Sequence, residues 1–123
     1  MMLLRDKDKR TLSQIFSLVE IPLEVWVYGS RVNGTAHKGS DLDLVVRSKD
    51  LKPLPIDIYT NLCEKIRESN IPILVELRDW AKLPESFHQQ IVPQHEVLFS
   101  NTEMVANEPS LEYKKNPKIN KDT

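Results

Sequence analysis

The chain has 123 residues, 17 Lys and Arg against 18 Asp and Glu, and a formal net charge of −1. This length fits one domain with a single core. The balanced charge argues against direct nucleic-acid binding, which favours a strongly basic face. No apolar run reaches the about 20 residues that span a bilayer, so no membrane partner is expected. The single cysteine, Cys63, cannot form an internal disulfide and favours a reducing, cytoplasmic location.

Hydrophobic periodicity and turn residues predict a regular order of elements along the chain. The predicted elements are a helix over residues 9–20, strands over 25–28 and 42–47, a helix over 57–69 capped by Asp57, a strand over 73–77, a helix over 84–92 and a last strand over 97–99. This order predicts an α/β (α+β) domain over residues 1–100, with helices on one face of a small sheet and the other face open. Residues 101–123 are polar, contain two prolines, and are predicted to form a poorly ordered tail.

One segment, VWVYGSRVNGTAHKGSDLDLVV at residues 25–46, carries most of the chemical information. Asp41 and Asp43 have the i, i+2 spacing that places side chains on the same face of a strand. Two carboxylates so close repel each other unless a cation lies between them, and Mg²⁺ prefers such oxygen ligands together with phosphates. Gly29 lets the backbone approach a phosphate closely, and Ser30 adds a hydroxyl and an N–H. The segment therefore predicts a magnesium and phosphate site.

The same segment resembles the active-site motif of the DNA polymerase β-like nucleotidyltransferase superfamily. It contains Gly29-Ser30, ten residues from Arg31 to Ser40, and then Asp41-Leu42-Asp43. The short chain resembles the minimal nucleotidyltransferase (MNT) group, which in bacteria and archaea is often encoded beside a HEPN-domain protein. The resemblance extends over residues 10–99. It implies a nucleotidyltransferase fold, in which a small mixed sheet has helices on one face and the active site on the open face.

The family motif includes a third carboxylate from a later strand, for which Glu76 and Asp79 are the candidates. If Val75 and Leu77 face the core, Glu76 faces the open side and Asp79 has the opposite parity. This parity favours Glu76. Minimal members usually have aspartate at this position, so glutamate is a departure that adds one methylene of reach.

The resemblance also implies roles for individual residues and a reaction. The implied catalytic residues and Mg²⁺ ligands are Asp41, Asp43 and Glu76, and the implied nucleotide-binding residues are Gly29, Ser30, Arg31 and Ser40. The implied reaction transfers a nucleoside monophosphate, AMP from ATP, to a hydroxyl acceptor and releases pyrophosphate. The implied acceptor is a tyrosine of a HEPN toxin, for which this chain would be the antitoxin and with which it could form a hetero-oligomer.

Several alternatives stay open at this stage. The chain could be a binding-only antitoxin with a weakened site, a nucleotidyltransferase subunit whose small-molecule substrate is bound by a second subunit, or a structural partner domain that retains the acidic residues. Arg31 is about as consistent with a surface arginine as with a nucleotide ligand. Trp26 and Tyr28 fit packing in a core or interface better than a pocket for the base.

Overall fold

The computed structural model describes residues 3–37 and 39–102. Within this part of the chain, four helices, four strands and one 3₁₀ turn follow each other. They are α1 (Asp6–Ser17), β1 (Leu23–Tyr28), α2 (Ser30–Asn33), β2 (Leu42–Ser48), α3 (Ile56–Arg67), β3 (Val75–Asp79), the 3₁₀ turn (Trp80–Lys82), α4 (Glu85–Ile91) and β4 (Glu96–Ser100). No helix among these described residues is long and apolar enough to cross a membrane.

The strands form one mixed sheet in the order β3-β2-β1-β4. β1 lies antiparallel to both β2 and β4, whereas β2 and β3 are parallel. Parallel neighbours need a crossover connection, and α3 lies in the segment between β2 and β3. The predicted α/β class with a small mixed sheet is confirmed.

The main core lies between one face of the sheet and helices α1 and α3. Each of these helices has a stripe of apolar residues at helical spacing, and each stripe packs against alternate residues of the strands. The fully or almost fully buried members are Leu12, Phe16, Leu23, Val25, Val27, Leu42, Leu44, Val46, Leu62, Ile66 and Leu77. Burial of each such side chain contributes about 1.5–3 kcal/mol, so this layer holds the sheet rigid beneath its second face.

The second face of the sheet is open only in part. Trp26 and Val45 lie on it and are covered by Trp80 of the 3₁₀ turn and Ile91 of α4. The two indole rings meet edge to face, with their centroids 5.5 Å apart. The expectation of packing for Trp26 is thereby confirmed. The uncovered part of this face carries the polar residues described below.

The helix boundaries differ from the predicted ones by a few residues. α1 begins at Asp6 rather than at residue 9. Arg5 forms an ion pair with Asp8 at 2.9 Å across the first turn of this helix. α3 begins at Ile56, and the predicted cap at Asp57 is wrong because Pro55 occupies the N-cap position without a side-chain cap. The fixed φ angle of proline suits the residue before a helix, and proline has no backbone N–H that would need an acceptor.

β3 lies two residues later in the chain than predicted. Residues 73–77 were expected, whereas Val75 to Asp79 pair with Leu42 to Val46 of β2. The apolar pattern alone could not place this strand, since register depends on its neighbour. Asn101, the first residue of the predicted tail, is bound to the domain because its side-chain oxygen accepts the N–H of Leu23 at 2.7 Å. Residues 103–123 of that tail lie outside the described residues.

Candidate active site

Three side chains form a row across the second face, near one end of the strands. Tyr28 of β1 is the pairing partner of Asp43 in β2, and Asp43 is in turn the pairing partner of Glu76 in β3. Residues paired across a sheet present their side chains on the same face. The pairing therefore brings a carboxylate of the Asp-x-Asp motif beside Glu76.

The carboxyl group of Asp43 is in an unfavourable place for a negative charge. Its pKa is raised above the ordinary value, first by partial burial and then by repulsion from Glu76, with a further contribution from Asp41. Arg78 acts in the opposite direction. Asp41 lies one residue before β2 and is exposed. A bound cation would relieve this repulsion.

Gly29 meets Asp43 at the end of β1. Its backbone has φ +80° and ψ −151°, in a region that only glycine adopts without strain. A Cβ at this position would lie 2.6 Å from Oδ2 of Asp43. The glycine carbonyl accepts the N–H groups of Val32 and Asn33, each at 3.1 Å, at the start of α2. Gly29 thus allows the Asp43 carboxylate to approach the backbone and turns the chain into α2, whose first residue is Ser30.

The loop between α2 and β2 is held by Arg31. This arginine is only 7% exposed. Its guanidinium donates to the carbonyl of Ser40 at 2.7 and 3.1 Å and to the carbonyl of Leu3 at 2.6 Å. The Ser40 hydroxyl accepts the N–H of His37 at 2.9 Å. The predicted nucleotide-binding residues Arg31 and Ser40 therefore bind the backbone of this loop in the structure.

The two candidates for the third carboxylate occupy opposite faces of β3. Asp79 is buried, and its carboxylate accepts the N–H groups of Leu54 at 2.9 Å and Ala81 at 3.1 Å. Glu76 is half-exposed beside Asp43 and forms an ion pair with Arg78 at 2.9 Å. Its position on the second face agrees with the parity argument.

Residues 10–104 match the family model described as polymerase beta nucleotidyltransferase. The chain belongs to this family. It is also 38% identical over 86 residues to a Haemophilus influenzae protein described as "probable protein adenylyltransferase MntA", covering 70% of this chain and 73% of that protein. Proteins of this family generally use a divalent metal ion.

Solved structures share the fold. A toxin–antitoxin complex with AMP-PNP aligns with a TM-score of 0.62 and 21% identity, over 79% of this chain and 77% of that one. The toxin–antitoxin MntA–HepT aligns at 0.58 and 17% identity, over 81% and 76%. A tri-AMPylated Shewanella oneidensis HEPN toxin in complex with MNT antitoxin aligns at 0.59 and 17%, over 83% and 77%.

The residues on the second face fit a metal of the kind that this nucleotidyltransferase family uses. Within residues 3–37 and 39–102, no three His, Cys, Asp or Glu side chains are already grouped closely enough to hold an ion. Asp43 and Glu76 nevertheless lie opposite each other on neighbouring strands, and the glycine at position 29 lets the Asp43 carboxylate lie against the backbone at the end of β1. Oxygen ligands from one or two carboxylates, completed by substrate phosphates, are typical of Mg²⁺.

A cleft of about 230 Å³ opens next to Gly29, between β1 and α4. Tyr28 and Gly29 form its inner end, and Phe87 and Gln90 of α4 are among the residues along its side. Neither Phe87 nor Gln90 was predicted to belong to a site. Neither residue forms part of a sequence motif. Their position at the cleft becomes visible only once α4 is packed beside β1.

Proposed function

We propose that this chain transfers AMP from ATP to a hydroxyl group of a HEPN-domain partner and acts as the antitoxin of that partner. One observation carries the proposal: Asp43 and Glu76 face each other beside Gly29 in a chain of the nucleotidyltransferase family. The similarity to an adenylyltransferase supports AMP as the transferred group. Fold neighbours that contain AMP-PNP or an AMPylated HEPN toxin support ATP and the partner class.

Asp41, Asp43 and Glu76 would hold Mg²⁺ in this proposal. The ion, when bound, offsets the negative charge that develops on the phosphates. Asp41 is exposed and adjacent in sequence to β2, so its carboxylate can turn toward the pair formed by Asp43 and Glu76. Glu76 would also accept the proton of the acceptor hydroxyl.

Gly29 and Ser30 would bind the phosphates that leave. Gly29 removes the side chain that would otherwise fill the space beside Asp43. Ser30 follows it directly as the first residue of α2 and would supply a hydroxyl and a backbone N–H. Arg31 and Ser40 support this segment by holding the loop backbone, and we propose for them a positioning role in nucleotide binding.

The reaction balances without a further reactant. The acceptor oxygen forms a bond to the α-phosphorus of ATP, and the bond between that phosphorus and the bridging oxygen to the β-phosphate breaks. Pyrophosphate takes the electron pair, and the hydroxyl proton passes to Glu76 or to water. The cleft between Tyr28 and Phe87 is adjacent to Gly29, so the nucleoside can enter it while the phosphates remain beside Asp43.

The acceptor site must come largely from another protein. The cleft beside Gly29 has a volume of about 230 Å³, below the about 300–1,000 Å³ that is usual for ligand pockets, so a nucleoside in it leaves no room there for a separate acceptor. A partner that brings its own hydroxyl to this face removes the need for a second pocket. A hetero-oligomer is therefore favoured over a free enzyme with a small-molecule substrate.

The decisive experiment uses ATP labelled at either the α- or the γ-phosphate. The chain, its HEPN-domain partner and Mg²⁺ are incubated with each label, and protein-bound label is measured. We expect only the α-label on the partner, and its loss in Asp41→Ala and Asp43→Ala. Asp57→Ala removes an exposed aspartate that makes no helix cap and should leave transfer unchanged. Transfer of the γ-label would indicate a kinase and contradict the proposal.

A binding-only antitoxin is the second candidate, and one contact favours it. Glu76 is ion-paired with Arg78 at 2.9 Å, which leaves this carboxylate partly neutralised. Such a protein would neutralise its partner in a fixed ratio, without label transfer and independently of Mg²⁺. Titration of the partner with wild-type chain and with Asp43→Ala separates the two candidates, because only an enzyme neutralises an excess of partner.

A further inference from the structure

Arg78 places a permanent positive charge among the proposed metal ligands. It lies two residues after Glu76 on β3, so both side chains are on the second face of the sheet. Its Nη2 donates to Oε1 of Glu76 at 2.9 Å. Arg78 also interacts with the Tyr28 hydroxyl, and its charge reaches the carboxyl group of Asp43. A guanidinium therefore lies beside Asp43 and Glu76, two neighbouring carboxylates that together favour a cation.

The contact between Arg78 and Glu76 is of a kind that opens easily. The side chains of Arg78 and Glu76 are 45% and 39% exposed. Ion pairs between exposed side chains contribute little to stability, because water solvates both charges well. The buried carboxylate of Asp79 differs, since two backbone N–H groups hold it. Arg78 can thus leave Glu76 without disturbing the fold, whereas it remains charged at any physiological pH.

We propose that Arg78 is a built-in counter-ion that competes with the divalent cation for Glu76 and, once displaced, binds the phosphates of the nucleoside triphosphate. This inference rests on the proposed function, because it concerns the same site. A divalent cation that binds without nucleotide must displace the guanidinium of Arg78 from Glu76, and the guanidinium then has lost its carboxylate partner. A nucleotide that arrives with the cation supplies phosphate oxygens, which a guanidinium binds through two parallel hydrogen bonds. Cation and nucleotide should therefore bind cooperatively.

The test measures Mn²⁺ binding by the full chain, using the electron paramagnetic resonance signal of free Mn²⁺. Binding is measured for wild type and Arg78→Met, with and without AMP-PNP. Without nucleotide, we expect Arg78→Met to bind Mn²⁺ roughly fivefold more tightly, as for loss of an exposed ion pair. With AMP-PNP, the nucleotide-dependent gain in Mn²⁺ affinity should be smaller in Arg78→Met than in wild type.

Two further variants separate charge from other causes. Arg67→Met removes an exposed arginine at the end of α3, outside the residues of the second face, and should leave Mn²⁺ affinity unchanged. Arg78→Lys keeps the positive charge and should bind Mn²⁺ alone as weakly as wild type. Equal tightening in Arg78→Lys and Arg78→Met would overturn the inference, because charge would not be the cause.

The inference and the proposed function fail in different ways. If Arg78→Met and wild type bind Mn²⁺ equally without nucleotide, or neither binds it, the inference is overturned. Loss of α-label transfer in Asp43→Ala would still support the proposed function in that case. If the partner receives no α-label from wild type, the proposed function fails, whereas tighter Mn²⁺ binding by Arg78→Met would still support competition at Glu76.

Discussion

Asp43 and Glu76 are direct partners across the parallel pair of β2 and β3. Two like charges in this relationship destabilise a sheet by about 0.2–1 kcal/mol. Both residues are nevertheless present near the start of their strands, on the face of the sheet opposite the main core. Such a local loss of stability is typical of functional sites, where residues are retained for the reaction although they do not favour folding.

Asp43→Asn should make the metal-free protein more stable and the enzyme much less active. The substitution removes the repulsion from Glu76 and should raise the free energy of unfolding by about 0.2–1 kcal/mol. AMP transfer should fall by roughly 10²–10³-fold or more, as when a charge-stabilising group is lost. Urea unfolding in EDTA and label transfer measure the two effects. A less stable Asp43→Asn protein would contradict the repulsion argument, and Asp57→Asn is the control.

The pH dependence of Asp43 follows from the direction of its pKa shift. Burial and Glu76 raise this pKa in the folded protein, so the folded state binds the proton more tightly than the unfolded state. The stability of the metal-free protein should therefore gain from protonation of Asp43 as pH falls through the raised pKa. Metal binding needs the ionised carboxylate and should decline in the same range, above the ordinary value of about 3.9.

Carboxyl carbon NMR of the metal-free protein checks this direction. The apparent pKa of Asp43 should lie above the ordinary value for an aspartate carboxyl group. Glu76→Gln removes the neighbouring charge and should lower the apparent pKa of Asp43, although burial still keeps it raised. An unchanged titration of Asp43 in Glu76→Gln would show that the two carboxyl groups are not coupled.

Substitutions at Glu76 should affect activity, whereas substitutions at Asp79 should affect stability. Glu76→Gln keeps the shape of a half-exposed side chain and should lose AMP transfer with little change in unfolding. Asp79→Ala leaves the N–H groups of Leu54 and Ala81 without their acceptor, at a cost of about 1–3 kcal/mol. Thermal unfolding and label transfer on both variants decide the assignment. Loss of transfer in fully folded Asp79→Asn, with normal transfer in Glu76→Gln, would reverse it.

Arg31 should matter through the loop that it holds. Arg31→Lys keeps the charge, but a single ammonium group cannot reproduce the several hydrogen bonds that the planar guanidinium donates to the carbonyl groups of Ser40 and Leu3. We expect a loss of about 1–3 kcal/mol in unfolding free energy, together with faster proteolysis within residues 31–40. An unchanged stability with weaker ATP binding would instead support the direct nucleotide contact that the motif implies.

Much of the fold could be predicted because its signals are local. The stripe through Leu12 and Phe16 and the alternation through Leu42 and Leu44 each repeat with the period of their element. The pairing of Asp43 with Glu76 is different in kind. Parity predicted the face of Glu76, but the register of β3 is fixed by its partner strand, which no local pattern reveals.

The parts that sequence reasoning missed depend on contacts between distant elements. Arg78 shares the parity of Glu76, so its face could be predicted but not its ion pair with that residue. The cover formed by Trp80 over Trp26 joins residues from β1 and a 3₁₀ turn too short to show a periodic pattern. α2 was missed for the same reason, since it has four residues between two glycines.

Gly29 and Gly34 form a matched pair for testing the space beside Asp43. Both have positive φ, at +80° and +85°, and they flank the same short helix α2. A Cβ on Gly34 meets nothing within 4 Å, whereas a Cβ on Gly29 would lie 2.6 Å from Oδ2 of Asp43. Gly34→Ala should therefore cost only backbone strain, about 1–2 kcal/mol. Gly29→Ala should cost about 3 kcal/mol or more, because its backbone region is closed to alanine and its Cβ displaces the carboxylate.

A double-mutant cycle isolates the contact between Gly29 and Asp43. In an Asp43→Ala background, the Cβ of Gly29→Ala no longer meets Oδ2, so the added loss of stability should be smaller than in wild type. The backbone strain is present in both backgrounds and cancels in the comparison. Urea unfolding of the four proteins gives the coupling energy. Strict additivity would mean that glycine is required at position 29 only because of its backbone angles, and that the close approach of Asp43 imposes no further requirement.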